Sequence, residues 1–403
     1  MSNKLYIAIP LLDELTNIKL IISNLASQTY TNFELVVCIN QPDIWWDDES
    51  KIEVCERNIK SIELINKLAS ENNIDFTIID KATKGKAWQG KNIGVGWARK
   101  TIMDHIALSA SDEDIIISLD GDTYYKDNYF AVIHNHFVNN PKIDTISIPY
   151  YHPLNEDKDA SRAILRYEIY MRYYFLNMVR IGSPYAFSAL GSAISFRYKA
   201  LKKIGGFSPK KSGEDFYFLQ KMIKYKPIGN WLDEKVYPAA RFSDRVFFGT
   251  GPAMIKGNAG NWESYPLYPI ALFNKIKAFY ELIPELYINN VETPIDAFWK
   301  DKESKNVVLE KLRKNNKDLP HFTKAVHDYF DGLRTLQFLK ANYDTYNEEN
   351  NLIEFLKTDF AKKIDDQYLK DFSFSKSSLD QLNAVRDFLC ELEDKYRQQI
   401  SNT

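Results

Sequence analysis

Cysteine is scarce: Cys38, Cys55 and Cys390 are the only three in 403 residues, too few and too scattered for a disulfide framework or a zinc knuckle. Two of them sit in apolar or helical-looking segments, so a reducing, cytoplasmic setting is expected. Neither sign of charge is in excess. With 52 basic against 54 acidic side chains, no global field draws the chain to nucleic acid, and any polyanion it binds must be handled locally. Met1 to Lys4 lacks the charged and apolar blocks of a signal peptide, because a strand-like run begins at once with Leu5, so no export is expected. A long apolar run is also missing. The most hydrophobic late stretch, Tyr265 to Tyr287, is interrupted by Pro266, Pro269 and Pro284 and carries Lys275, Lys277 and Glu281. A spanning helix needs about 20 apolar residues, so contact with a membrane is expected to be peripheral at most, at its inner face.

What is present is a globular composition. Hydrophobic side chains make up 45% of the chain, enough for a large core and for one main domain with a substantial appendage. Through the first half, Leu5–Pro10, Phe33–Asn40, Asp75–Asp80, Ile115–Leu119 and Ile143–Pro149 read as strands. Three of these are near-continuous Ile/Val/Leu runs, as expected for parallel strands buried on both faces. Helical patterns fall between them at about Glu14–Gln28, Lys51–Asn72, Gln89–Leu108 and Asp127–Asn139. The alternation predicts βαβ units and a doubly wound, mostly parallel α/β sheet. Farther on come a helix at Ser161–Val179, a small-residue strand at Leu190–Phe196 and a helix opening near Asp215. After about Pro266 the pattern is helical and charged, with acids and lysines interspersed as on solvated faces. A boundary is expected near residue 265, dividing a 1–265 domain (halves 1–122 and 123–265) from a helical 266–403 extension that serves the acceptor side or an oligomer interface.

In such sheets ligands bind in the crevice beyond the carboxyl ends of the strands. Those ends are Pro10–Glu14, Asn40–Asp43, Lys81–Lys91 and Asp120–Asp122. The last is the most informative, because the buried run Ile116-Ile117-Ser118-Leu119 delivers two carboxylates around Gly121. In extended chain residues i and i+2 point the same way, and the glycine allows a ligand close to the backbone. The pair suits a hard divalent cation, Mn2+ or Mg2+, bridging a diphosphate. Its alternative is a strand-ending turn with no ligand.

Several motifs taken together resemble the family 2 glycosyltransferases of the GT-A fold. Ile9-Pro10-Leu11-Leu12-Asp13-Glu14 stands where that family has a strand ending in Ile-Pro followed by an Asn-Glu pair. Leu25 to Val37 matches its helix-to-strand phrase through Gln28, Tyr30, Phe33 and Glu34. Gly85-Lys86-Ala87 with Lys91-Asn92-Ile93-Gly94 resembles the segment beneath the nucleoside, and Asp120-Gly121-Asp122 falls at the metal motif. The likeness covers about residues 4–255. It implies a nucleoside-diphosphate sugar donor contacted by Pro10, Leu12, Glu14, Asn40, Lys86, Lys91, Asn92, Asp120 and Gly121, with a divalent cation on Asp120 and Asp122. The acceptor would be a glycan, a lipid-linked molecule or a small molecule.

A second stretch, Gly191 to Arg197, then Ile204-Gly205-Gly206-Phe207 and Gly213-Glu214-Asp215, resembles the family's glycine-rich strand and the helix whose opening acids meet the acceptor. The resemblance implies Asp215 as general base of an inverting transfer, with Glu214 beside it. Independently, adjacent acids at a helix start favour the dipole while their crowding raises a pKa; the simpler reading is a helix cap. Arg241 and Arg245, in a loop leading to Gly249 and Gly251, either clamp the diphosphate, as guanidinium forks match phosphate oxygens, or form ordinary salt bridges. Tyr167, Tyr170, Tyr173 and Tyr174 are candidates for stacking on sugars or for a helical core.

The chain also departs from the family pattern. Leu12 replaces a common aromatic residue, and Asn40-Gln41-Pro42 replaces an acidic pair. No histidine follows Asp215 until His321, so a third metal ligand is expected from the Ser243–Asp244 region or from water. A nucleotidyltransferase is disfavoured because Ile9–Asn17 has no glycine for a phosphate loop. A retaining transferase without a base, and a non-catalytic nucleotide- or glycan-binding relative, remain the alternatives to an inverting enzyme.

Overall fold

The computed structural model describes residues 3–210, 213–243, 249–299, 304–344, 347–361 and 365–401. They fall into two compact units, and these do not follow a single cut at 265. One comprises residues 1–164, 189–261 and 397–403, the other 165–188 and 262–396.

The first unit is built on a mixed, mostly parallel α/β sheet. Strands β1 (Leu5–Leu11), β2 (Phe33–Asn40), β3 (Asp75–Lys81) and β4 (Ile115–Ser118) are parallel. Between them run α1 (Ile18–Ala26), α2 (Ile52–Glu71) and α3 (Val95–Ile106). After β4 come β5 (Thr123–Tyr124), α4 (Tyr129–Asn139), β6 (Thr145–Ser147), α5 (Lys158–Arg180), which belongs to the second unit from residue 165 onward, then β7 (Ile194–Arg197), α6 (Tyr198–Lys203), α7 (Glu214–Tyr225), β8 (Tyr237–Pro238) and α8 (Thr250–Asn258). The six-stranded sheet has the order β3-β2-β1-β4-β7-β6, and β7 alone runs against its neighbours; β5 and β8 form a separate antiparallel pair.

The apolar runs behave as their composition requires. All seven residues of β1 and all four of β4 are buried, since neighbouring strands take both edges and helices cover the sheet. The helices α1 and α3 begin later than their patterns suggest. The first is preceded by a short 3-10 turn at Leu15–Asn17, and the second is held back by the left-handed glycines Gly90 and Gly94. Ile143–Pro149 shortens to Thr145–Ser147, and the late strand begins at Ile194 instead of Leu190.

The second unit is helical. Tyr173 packs on Phe273 and Phe355, and Tyr167 and Tyr170 pack on Tyr265, so these tyrosines belong to aromatic packing within the unit. Among the described residues no helix is long and apolar enough to cross a membrane. The three cysteines are buried and form no disulfide among the described residues.

Candidate active site

Four parallel strands end on one edge of the sheet, and the antiparallel β7 starts on that edge, because Ile194 lies opposite Ser118 in the ladder. The residues just after β4 and just before β7 are therefore neighbours. Ser118 Oγ donates to the carbonyl of Gly191 at 2.7 Å. Gly121 also needs to be a glycine for space: a Cβ there would sit 2.6 Å from a methyl of Leu11 and 3.1 Å from Cγ of Glu14.

The acids meet through two arginines. Arg99 of α3 is almost wholly buried; its Nη2 donates to Asp120 at 2.5 Å and its Nη1 to Glu214 at 2.6 Å. One guanidinium thus joins the end of β4 to the start of α7. Arg99 lies on the helix face shared by Ile102, Met103 and Ile106, all buried. An arginine at i in an apolar i+3, i+4, i+7 stripe is the sequence signal that could have revealed it. Arg241 makes the second junction: its Nη2 is 2.6 Å from both Glu14 Oε1 and Asp122 Oδ2, and its Nε donates to Asp122 at 2.8 Å. Of the two roles open to Arg241, the salt bridge is the one formed here.

Asp215 follows the left-handed Gly213 in the first turn of α7, and its Oδ1 accepts the backbone N–H of Phe216 at 2.7 Å. Its carboxyl borders a small cavity lined by Met103, Ile194, Phe196, Phe207 and Phe218. Burial there, with the charge of Glu214 beside it, pushes its pKa up to about 7 against the pull of Arg99 and the Phe216 hydrogen bond. Burial also raises the pKa of Asp120, opposed by Arg99 and reinforced by Asp122, Glu214 and Glu14.

The expected nucleotide crevice is built largely from internal bonds. Pro10 is buried in β1, and Leu12 and Asp13 form the turn after it, with Asp13 left-handed (φ 55) and pinned by Arg57 at 2.6 Å. Asn40 is buried: its amide donates to the Leu11 carbonyl at 2.9 Å and accepts from the Trp88 indole at 3.3 Å. Asn40 therefore shapes the crevice by tying β2 to β1 and to the 82–94 connection. Lys86 pairs with Asp80 at 3.3 Å, while Lys91 and Asn92 stand exposed before α3. The structure thus groups Glu14, Asp120, Gly121, Asp122, Glu214 and Asp215, and leaves the three residues of the connection outside that cluster. Arg245 and Asp244 lie outside the described residues.

Among the described residues the cluster brings together the carboxylates of Glu14, Asp120, Asp122, Glu214 and Asp215 with the guanidiniums of Arg99 and Arg241. A single nitrogen of Arg241 touching both Glu14 and Asp122 means that one cation can reach both oxygens. That hard oxygen set fits Mg2+ or Mn2+. No group of three or more acids, histidines or cysteines forms a metal cage among the described residues, so a bound ion would complete its shell with phosphate oxygens and water.

Residues 115–255 match the model for glycosyl transferase family group 2. No curated protein matches the sequence. Among solved structures, S. aureus TarS 1–349 in complex with UDP-GlcNAc is 13% identical, with 98% of this chain and 92% of that chain covered at a TM-score of 0.41. The mannosyltransferase PcManGT from Pyrobaculum calidifontis in complex with GDP-Man and Mn2+ is 14% identical, with 94% and 85% covered at 0.37.

Proposed function

We propose that this chain, whose residues 115–255 match the model for glycosyl transferase family group 2, moves a sugar from a nucleoside-diphosphate donor to an acceptor hydroxyl with inversion of the anomeric carbon. The observation that carries the reading is Arg99. Its buried guanidinium binds Asp120 on the side where the donor diphosphate is expected and Glu214 beside the expected base, so both halves of the chemistry share one cleft.

In this reading Asp215 takes the proton of the acceptor hydroxyl as the sugar–phosphate bond breaks. A pKa near 7 suits that task, since about half of the groups are ionised at neutral pH and each is basic enough to accept a proton. Glu214, buried against Arg99, fixes the guanidinium and so the position of its neighbour. Mn2+ or Mg2+ held by Asp122, with Asp120 reaching the ion through water or the ribose directly, would neutralise the charge gathering on the departing nucleoside diphosphate. Pro10 to Glu14, Asn40 and the 86–92 stretch form the wall for base and ribose. The acceptor is a glycan, lipid-linked or small-molecule hydroxyl.

The test is a panel of nucleotide sugars with each metal, following nucleoside diphosphate release and reading the product anomer by NMR. Release that needs Mn2+ or Mg2+, is lost in Asp122→Ala and gives an inverted product is the expected result. A retained anomer would remove Asp215 as base, and metal-independent turnover in Asp122→Ala would remove the metal site.

A further inference from the structure

The two arginines of the acidic cluster differ in one physical respect. Arg99 is sealed in, its side chain 5% exposed, and it bridges two elements of the core. The side chain of Arg241 is 32% exposed. Yet the backbone that carries Arg241 is anchored. Immediately before it, Pro238 of β8 pairs with Thr123 of β5, the N–H of Ala239 donates to the carbonyl of Asp122 at 3.1 Å, and Asn155 donates to the carbonyl of Ala240 at 2.6 Å. The guanidinium is thus delivered beside Asp122 by fixed backbone, and it can leave by rotation of its own side chain without any loop refolding. What it leaves behind is a carboxylate pair that a cation of higher charge can use. Glu14 is already oriented for that, its Oε2 accepting from Asn17 at 2.5 Å.

We propose that Arg241 is a resident cation of the Glu14–Asp122 pair, holding the place that a divalent cation needs, so that metal entry requires this side chain to swing away. This inference rests on the metal-dependent reading above. Its physical basis is occupancy: a guanidinium nitrogen 2.6 Å from Asp122 Oδ2 and a metal ion cannot share that lone-pair direction, and two cations at one oxygen repel. The released guanidinium carries a planar fork of donors matched to phosphate oxygens, so a nucleoside diphosphate arriving with the metal gives it a new partner. Metal alone then binds weakly, and metal with a nucleoside diphosphate binds tightly.

The experiment titrates the purified 403-residue chain with Mn2+ and follows the free-ion EPR signal, first without nucleotide and then with uridine or guanosine diphosphate. Without nucleotide, Arg241→Gln should bind Mn2+ about tenfold more tightly than wild type, the ordinary scale of coupling between two ligands of one site. Arg241→Lys, whose compact ammonium cannot span both carboxylates as the fork does, should show a smaller gain, and it serves as the test should the glutamine variant fail to fold. Asp122→Asn should abolish the tight binding in either background. An Arg241→Gln protein that binds Mn2+ no better than wild type, with binding still dependent on Asp122, overturns this inference and leaves the proposed transferase intact. Absence of Mn2+ binding in every form, even with either nucleotide present, overturns the metal reading itself and this inference with it.

Discussion

At the scale of single residues, Asp215, the proposed base, is a carboxyl whose surroundings oppose its charge. Asp215→Asn should lower kcat by roughly 10²–10⁴-fold while leaving donor affinity nearly unchanged, because a general base acts on the transition state. The acid limb of the pH profile follows from the same group. Activity should fall by about tenfold per unit as pH drops below about 7, where Asp215 takes up its proton. Stability runs the other way. A carboxyl whose folded pKa lies above its unfolded value of about 3.9 favours the folded state below that value and loses this contribution as pH rises through about 7. The asparagine variant should therefore melt higher than wild type at pH 8 and equally at pH 3.5. A variant inactive but less stable at pH 8 would contradict the assigned environment. Glu214 and Asp215 were legible as a pair in the sequence. That Glu214 shares a buried guanidinium with Asp120 was not, because the pairing depends on Arg99, which is 115 residues from Glu214 along the chain.

At the scale of elements, the site exists because one strand is reversed. A parallel β7 would carry Gly191 to the far edge of the sheet; antiparallel to β4, it brings Gly191 against Ser118 and Arg99. The glycine is required by space and not by backbone angle. A Cβ on it would meet Arg99 Nη2 at 2.2 Å, and that end of the arginine is pinned by Asp120 and Glu214. Gly191→Ala is expected to cost about 1–3 kcal/mol in urea unfolding, the range for overpacking, and to reduce kcat/KM by disturbing both ion pairs. Full activity with unchanged stability would mean that Arg99 can yield, and would weaken its role as a fixed bridge. The parallel strands were readable from their Ile/Val/Leu runs, since burial on both faces leaves that composition little freedom. Their ends were less so: Gly90 and Gly94 delay α3 by adopting positive φ, a conformation that a residue's identity permits but does not dictate.

At the scale of the whole chain, the division into units follows buried charge as much as apolar packing. In the helical unit Arg172 binds Glu168 and, at 2.6 Å, Glu393, while Arg386 binds Glu168 at 2.9 Å. All four side chains are at most 1% exposed. A helix from the middle of the sequence and the final helix thus belong to one charged core. Removing one partner of a buried pair costs about 3–5 kcal/mol, so Glu168→Gln should lose that much in denaturant unfolding. A chain ended after residue 261 would strip Arg172 and Glu168 of Glu393 and Arg386, and it should aggregate. A truncated chain that stays soluble and folded would show that these charges find other partners.

Composition and periodicity determined the α/β class, the position of the acidic motifs at strand ends and the absence of any apolar run able to span a membrane, because each depends on local pattern alone. Tertiary structure decided which acids share a cation, that Asn40 is a structural tie, and that residues 165–188 pack with the C-terminal helices. Those outcomes depend on pairings between residues up to 227 positions apart, as between Glu14 and Arg241. No local propensity encodes such a contact: it forms only when the sheet order and the reversal of β7 bring the partners to one edge, where the cost of burying each charge makes pairing the lower-energy arrangement.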